Sequence, residues 1–237
     1  MKMNIANIPI KELFAPERGC PLCRMEEMLE EQYVTFITGD AMMEPSVRVA
    51  TNKKGFCHRH FSRMAQLGQR LPNALILETH LESVMENYLP KKTGGKPDKK
   101  KLAEIREMLG TCYVCDRVEA DMFHLASTTF NEWVKDEEFR NTYRTREFIC
   151  LKHYQFILSA AMGKGGMPSK YLGDFYNDTA TLTKKYMETV YGDIKHFVSM
   201  FDYRNRDKEW GTSVDAIERS IEFLTGEKPT VEQQLEL

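Results

Sequence analysis

The sequence predicts an all-α protein, and three observations support this prediction. Apolar residues recur at spacings of three, four and seven along several segments, which is the pattern of a helix with one buried face. Residues that start and stop helices frame these segments, with proline in a first turn and glycine after a last one. No stretch shows sustained alternation of apolar and polar residues between hairpin turns, which is the pattern of a half-buried strand.

The predicted helices follow one another along the chain. The first covers 21–38 and begins with a proline, whose missing N–H costs nothing in a first turn. The last covers 213–224, where Thr212 and Asp215 are spaced as a capping box and Gly226 follows the final turn. The other predicted helices are 58–71, 73–88, 102–109, 115–133, 151–162 and 169–191.

The composition is that of a soluble globular protein. Of 237 residues, 42% are hydrophobic and 29% charged, which is enough apolar material for one large domain or two smaller ones. The net charge of -2 gives no general attraction to nucleic acid or to an anionic membrane. The first residues lack a signal-peptide pattern, so we expect a cytoplasmic protein, in which closely spaced cysteines are more often metal ligands than disulfides.

The chain carries the same four-ligand pattern twice. A Cys-x2-Cys pair is followed by a Cys-x2-His pair after 33 intervening residues in the first copy and 34 in the second, and together the copies use all six cysteines. The candidate ligands are Cys20, Cys23, Cys57 and His60 in the first half, and Cys112, Cys115, Cys150 and His153 in the second. Three thiolates and one imidazole are the donors of a closed four-coordinate site, so the sequence predicts two zinc ions per chain.

The surroundings of these motifs favour a structural metal. Each motif lies at or just before a predicted helix N-terminus, where the helix dipole favours negatively charged thiolates. Four protein ligands leave no open position for water or substrate. His60 is preferred to His58 as a ligand, because the second half has Leu151 and His153 at the corresponding positions. An iron–sulfur cluster and a set of redox thiols are the alternatives.

The repeated pattern also predicts an internal duplication. The halves align at an offset of 92 residues, which becomes 93 before the second Cys-x2-His pair. The predicted organisation is a first helical half at 1–90, a Lys/Gly/Pro linker at 91–101, a second half at 102–204, and a C-terminal helix and tail at 205–237. Each half is expected to be stapled by its own Cys3His site, although the spacing also allows the halves to exchange their Cys-x2-His pairs.

Two pairs of equivalent charged residues are candidates for supporting the metal sites. Glu27 and Glu119 each lie four residues after the second cysteine of a motif, one helical turn away, and could accept the free ring N–H of a ligand histidine. A solvated helix glutamate is the alternative for both. Arg48 and Arg140 also coincide between the halves and could offset the charge of a thiolate-rich site, with a surface ion pair as the alternative.

The paired motifs resemble those of a bacterial family of unknown function, number 6062. The resemblance rests on Cys-Pro-Leu-Cys at 20–23 and Gly-Phe-Cys-His-Arg-His at 55–60, and it covers nearly the whole chain. The second half departs slightly, with Tyr-Val in place of Pro-Leu, but keeps every candidate ligand. The resemblance implies a cytoplasmic bacterial protein and supplies no activity, substrate or partner.

The sequence favours a non-enzymatic interaction or regulatory protein over two other classes. The chain has no nucleophile elbow, no His-Glu-x-x-His motif and no dinucleotide fingerprint. A macromolecular partner is expected, with protein favoured over nucleic acid because the net charge is negative, and no membrane contact is expected. The alternatives are a thiol-based redox or metal sensor, and an enzyme with a site between the halves lined by 171–203. The oligomeric state is left open.

Overall fold

A computed structural model describes residues 10–92, 94–205 and 207–229. Within these ranges the chain forms α-helices and three short 3-10 turns, with no strand, so the all-α prediction is confirmed. The helices are α1 (Ile10–Phe14), α2 (Pro21–Thr38), α3 (Pro45–Lys54), α4 (His58–Gln66), α5 (Arg70–Asn87), α6 (Lys99–Leu109), α7 (Tyr113–Lys135), α8 (Glu137–Arg144), α9 (Leu151–Met162), α10 (Ser169–Ser199) and α11 (Ala216–Thr225). No helix among the described residues is long and apolar enough to cross a membrane.

Several helix boundaries agree with the sequence prediction and others differ. Helices α2 and α9 have the predicted bounds, whereas α10 continues eight residues beyond 191. The helix predicted over 58–71 ends at Gln66, because Gly68 adopts a left-handed conformation with φ 69° and starts a turn. The short helices α1, α3 and α8 were not predicted.

The predicted capping box of the last helix is wrong, whereas its glycine stop is confirmed. Thr212 lies in a 3-10 turn, and its hydroxyl donates to Asp193 instead of capping α11. Asp215 precedes the helix without a side-chain cap bond and accepts from Arg219. Gly226 ends α11 with φ 80°, a conformation that glycine adopts without strain.

The described residues divide into two compact units. The first unit contains 26–122, and the second contains 10–25 together with 123–229. Helices α2 and α7 each contribute to both units, because the division falls after Met25 and after Met122. These units do not coincide with the two halves predicted from the sequence. The boundaries of those halves describe a repeat in the sequence and stay a prediction.

The first unit is built from α3, α4, α5, α6 and most of α2. Helix α5 packs against α3 and α4. The core of the first unit includes the fully buried Leu29, Ile37 and Ile76. A buried polar contact lies in this unit, where the Tyr33 hydroxyl donates to Asp121 over 2.5 Å. Burial and this contact raise the pKa of Tyr33, so the phenol stays protonated and continues to donate.

The second unit has an aromatic core. Helix α10 packs against α8, α9 and α11, and α1 packs against α8. Trp133 meets Phe175 edge-on at 5.6 Å between ring centroids, and Phe14 stacks on Tyr143 at 5.4 Å. The large rings remove much apolar surface from water and hold α1, α7, α8 and α10 together. The structure thus supplies a separate packed body for each group of candidate ligands.

Candidate metal sites

The eight predicted ligands lie in two groups of four. Within each group the candidate donor atoms all lie within 4.8 Å of one another. Site 1 consists of Cys57, His60, Cys112 and Cys115, and site 2 consists of Cys20, Cys23, Cys150 and His153. Site 1 lies wholly in the first unit and site 2 wholly in the second.

This grouping corrects the expectation that each half closes its own site. Site 1 joins the Cys-x2-His pair of the first half to the Cys-x2-Cys pair of the second, and site 2 joins the remaining two pairs. The exchange is therefore reciprocal. Its physical cause lies in hydrogen bonds that hold the helix starts in two pairs, α4 with α7 and α2 with α9.

Backbone bonds before α4 and α7 assemble site 1. The N–H of Tyr113 donates to the carbonyl of Gly55 over 3.0 Å, and the Thr111 hydroxyl donates to the carbonyl of Lys54 over 2.7 Å. Gly55 has φ 63°, and a Cβ there would lie 3.0 Å from the His80 ring. A glycine is required at this position by both the conformation and the space. These contacts place Cys57 beside Cys112.

A different set of contacts assembles site 2. The N–H of Glu147 donates to the carbonyl of Glu17 over 3.1 Å, and the Glu147 carboxylate accepts from the N–H of Gly19 over 2.6 Å. The buried Arg146 guanidinium donates to the carbonyls of Phe14 and Ala15 at 2.7 and 2.8 Å. These bonds hold the segment before α9 against the segment before α2, and so bring Cys150 to the Cys-x2-Cys pair of the first half.

Each site lies where two helices begin, as the sequence predicted. Cys57 and Cys150 are the residues before the first turns of α4 and α9, and Cys20 and Cys112 directly precede α2 and α7. The second ligand of each pair is the third residue of its helix. The positive ends of two helix dipoles therefore favour thiolate at each site.

The donor spacing fits a tetrahedral ion of zinc size. Zinc bonds of about 2.3 Å to sulfur and 2.0–2.1 Å to nitrogen give tetrahedral edges of about 3.8 Å between sulfurs and about 3.5 Å between sulfur and nitrogen. The Sγ–Sγ distances are 3.6 Å for Cys23–Cys150 and 3.8 Å for Cys57–Cys115. The distances from His60 Nδ1 to the three sulfurs of site 1 are 3.2, 3.3 and 3.4 Å. Those from His153 Nδ1 in site 2 are 3.2, 3.3 and 3.8 Å. All six cysteines are free thiols, so no disulfide competes with this use.

The electrostatics of site 1 favour a cation. Burial raises the pKa of the Cys112 thiol, but hydrogen bonds from His60 and from backbone amides outweigh it and lower this pKa to about 6. Burial lowers the pKa of His60, whereas Cys112 and Glu30 raise it to about 10. A thiolate and an imidazolium thus form together. On binding, a divalent ion would displace the imidazolium proton and the protons of the remaining thiols.

Site 2 shows the same electrostatic pattern in its thiols. Burial raises the pKa of Cys20, but hydrogen bonds from Cys150, Cys23 and His153 outweigh it and lower this pKa well below the usual thiol range. The neighbouring sulfurs raise the pKa of Cys23, because a second thiolate beside the first is repelled. A divalent cation removes that repulsion and lets all three sulfurs ionise.

The carboxylate next to His60 is Glu30, not the predicted Glu27. Glu30 is 4% exposed, and its Oε1 lies 3.5 Å from Nε2 of His60, the ring nitrogen that faces away from the sulfurs. This is an ion-pair distance, too long for a firm hydrogen bond. Its Oε2 accepts from Arg59 at 2.7 Å and from Arg63 at 2.8 Å. Glu27 is exposed and reaches only Arg63, at 3.6 Å.

The remaining candidates for supporting residues lie elsewhere. Glu119 and His58 are exposed. The Arg48 guanidinium donates to the carbonyl of Leu75 in α5, and Arg140 donates to the carbonyl of Trp133 near the end of α7 and stacks over its ring, so both arginines bind helix carbonyls.

The two sites differ in exposure. In site 2, Cys20, Cys150 and His153 are buried and Cys23 is half-buried. The end of α11 covers this site, since Cys23 Sγ lies 3.3 Å from the carbonyl oxygen of Gly226. In site 1, Cys57 is half-buried and Cys115 is exposed. A reagent in solution can therefore reach a sulfur of site 1 more readily than one of site 2.

Fold and sites together define a class: an all-α protein with two Cys3His groups, each suited to hold one metal ion. The chain belongs to the family of unknown function DUF6062, whose profile matches residues 1–231. It is similar to an uncharacterized 23.9 kDa protein in the xynA 3′ region of Caldicellulosiruptor sp. (strain Rt8B.4), at 19% identity over 219 residues, covering 89% of this chain and 96% of that protein. No solved structure matches the chain.

Proposed function

We propose that this chain is a zinc-binding helical protein in which each four-residue group holds one structural zinc ion. The observation that carries the proposal is the donor set with its spacing: three sulfurs and one imidazole nitrogen at tetrahedral distances, repeated in two units. Thiolate-rich sites of this geometry favour zinc over the harder divalent ions. The ion would supply folding free energy by holding helix N-termini together, and the protein residues orient its ligands and balance its charge.

We further propose that the protein is a non-enzymatic interaction or regulatory protein of the cytoplasm, arising from an internal duplication. Four protein ligands at each site leave no position for substrate, which supports a structural metal. The reciprocal use of two equivalent motif sets supports a duplicated origin. In this proposal the zinc sites stabilise helices whose exposed faces bind another protein.

The test is metal content combined with folding. Protein purified without added metal is analysed by elemental mass spectrometry and by circular dichroism before and after removal of metal with a strong chelator. We expect two zinc ions per chain, loss of helical signal on chelation, and its return on addition of zinc. Metal-free protein with full helical content would contradict the proposal, and iron with visible absorbance would replace zinc by a cluster.

A second candidate function, a thiol-based sensor, is supported by the exposure of Cys115 at site 1. Its sulfur lies 3.8 Å from that of Cys57. A peroxide could oxidise these two thiolates to a disulfide while its own O–O bond breaks and two protons complete two waters. The site would then lose two ligands and release its ion.

Mild peroxide treatment distinguishes the sensor from a purely structural protein. The sensor proposal expects release of one of two zinc ions, formation of a disulfide between Cys57 and Cys115, and recovery of the zinc on addition of reductant and zinc. Retention of both ions under conditions that oxidise a free thiol control would exclude sensing at site 1.

A further inference from the structure

Helix α5 carries apolar residues on an outer face as well as on its inner face, and within the described residues only the inner face is covered. Its inner face packs against α3 and α4 through the buried Ile76 and His80. Its outer face carries the exposed Leu71, Leu77, Leu81 and Met85, and the exposed Leu89 follows just after the helix. These five residues, called here the outer stripe, are 67%, 39%, 56%, 58% and 52% exposed in that order. A contiguous exposed apolar stripe on a soluble protein commonly marks an interaction site, so the outer stripe is expected to be covered by a partner.

A row of acidic residues borders the outer stripe and restricts what can cover it. Glu78, Glu82 and Glu86 are exposed and follow each other at intervals of four residues, one position after Leu77, Leu81 and Met85. If α5 paired with the α5 of another copy about a two-fold axis, this acidic edge would face itself, and like charges at such an edge repel. The charge therefore favours an apolar partner with a basic edge.

Helix α6 of this same chain has that character. No residue of α6 is fully buried. Leu102 is 55% exposed and Leu109 is 73% exposed, and the exposed Lys99 and Arg106 lie on the same side of the helix at spacings of three and four. The α6 face is thus a short apolar stripe with a basic edge, complementary to the outer stripe of α5.

Both faces belong to the first unit and lie on neighbouring helices. The Lys101 ammonium near the start of α6 donates to the carbonyl of Asn87 at the end of α5 over 2.8 Å. A copy related by a two-fold axis would therefore present both faces again. In such an isologous pair, α5 of one copy meets α6 of the other, and the same contact occurs twice.

We propose that the outer stripe of α5 is a homodimer interface that binds the α6 face of a second copy of this chain. Leucines at the centre of the interface exclude water. The acidic edge of α5 pairs with the basic edge of α6 at both contacts, which sets the register and disfavours pairing of α5 with α5. The inference rests on the interaction role proposed above and names its partner, but it does not depend on the metal at either site.

The test is a charge exchange read out as molecular mass. Sedimentation equilibrium at low salt is run on the native chain, on Glu78→Lys/Glu82→Lys, on Lys99→Glu/Arg106→Glu, and on the variant that combines all four changes. We expect the native chain to have twice its mass of 27.6 kDa. Each single-edge variant should raise the dissociation constant at least about tenfold, and the combined variant should restore the dimer, because opposite charges again face each other.

Leu81→Asp and Leu224→Asp serve as a matched pair for the apolar part of the interface. Leu81 is 56% exposed on the outer stripe, and Leu224 is 55% exposed on α11 in the second unit. We expect only Leu81→Asp to give monomers. Metal content and circular dichroism of the same samples separate a lost interface from a lost fold or a lost zinc site.

Three results would overturn the proposal. A native chain that is monomeric at every concentration would mean that another molecule or another part of the chain covers α5. A dimer unaffected by Leu81→Asp would place the interface elsewhere. A combined charge variant that stays as weak as the single-edge variants would exclude the pairing of α5 with α6.

Discussion

Sites 1 and 2 have the same donor types at helix starts, three sulfurs and one imidazole nitrogen, but they differ in exposure and in the sequence around their histidines. In site 1, Arg59, Arg63 and the buried Glu30 form an ion-paired network behind His60. In the register of the repeat, Arg63 corresponds to Phe156, whose ring meets the His153 ring edge-on at 6.3 Å in site 2. Glu30 corresponds to Met122.

The difference teaches that donors and surroundings are set by separate parts of the sequence. The ligand motif determines that an ion can be held, because it brings three sulfurs and a nitrogen to tetrahedral spacing. The next turn of each helix determines how firmly and how accessibly it is held. Site 2, buried under the end of α11, is suited to a permanent staple, whereas site 1, with an exposed sulfur, is suited to exchange.

The largest effect is expected from removing one sulfur from each site in turn. Cys150→Ser removes a fully buried ligand from site 2 and leaves two thiolates together in an apolar setting. We expect loss of one zinc and unfolding of the second unit, since such sites contribute on the order of 10 kcal/mol. Cys115→Ser should also lose one zinc, but with a smaller fall in melting temperature, because its sulfur is exposed.

Thermal unfolding and metal content of the two variants check this prediction. An equal fall in melting temperature would mean that burial does not distinguish the sites. A larger fall for Cys115→Ser would reverse the comparison.

The second prediction concerns the carboxylate behind His60. Glu30→Gln keeps the shape of the side chain. It removes the carboxylate that Arg59 and Arg63 share and the negative charge beside Nε2 of His60. We expect the zinc affinity of site 1 to fall by about 10–100-fold, with site 2 unchanged. Glu27→Gln, at an exposed carboxylate that also contacts Arg63, is the matched control and should be near native.

Competition with a chromophoric chelator measures both affinities in one experiment. Two variants with indistinguishable affinities would show that Glu30 does not act on the metal through His60.

The sequence was sufficient for the parts of the account that depend on local pattern. The bounds of α2 and α9 follow from helical periodicity, and the eight ligands follow from residue type and spacing. The short helices α3 and α8 were missed because each buries only two residues, too few to establish a helical repeat within 10 and 8 residues.

The exchange of ligand pairs could not be predicted, because either pairing satisfies the spacing within a motif. It depends on bonds between distant segments, such as that from the N–H of Tyr113 to the carbonyl of Gly55. Glu30 was missed for a related reason. The prediction assumed that the turn directly after Cys23 would face His60, whereas Cys23 belongs to the other site.

A smaller effect is expected from a substitution at Gly226, where the end of α11 covers site 2. A Cβ at Gly226 would lie 3.4 Å from Cys150 Sγ and 3.5 Å from Cys23 Sγ, in a backbone conformation with φ 80°. Gly226→Ala should cost about 1–2 kcal/mol for the left-handed conformation and should also speed loss of zinc from site 2. Gly165→Ala carries the same strain at φ 78° with nothing within 4 Å, so it should lower stability alone.

Chemical denaturation and chelator-release rates separate the two effects. Equal zinc-release rates in the two variants would mean that α11 does not control access to site 2.

The smallest effect concerns the ion pair that ties α11 to α10. Burial raises the pKa of Asp193, but hydrogen bonds from Arg219 and Thr212 outweigh it and hold this pKa below its ordinary value. A carboxyl with a lowered folded-state pKa stabilises the fold above its unfolded pKa, and the contribution is lost as the pH falls through the folded value. Asp193→Asn should therefore lower stability at neutral pH by less than about 1 kcal/mol, and the difference from the native chain should close in acid. A stability difference between Asp193→Asn and the native chain that is constant with pH would show that it does not come from ionisation of Asp193.

The exchange of ligand pairs is the central claim, and zinc counting on two double variants tests it most directly. Cys20→Ser/Cys150→Ser removes two ligands from site 2 alone, and Cys20→Ser/Cys57→Ser removes one ligand from each site. After dialysis against metal-free buffer, we expect the first variant to keep one zinc per chain and the second to keep none. If each half closed its own site, the result would be the reverse: one zinc in Cys20→Ser/Cys57→Ser and none in Cys20→Ser/Cys150→Ser.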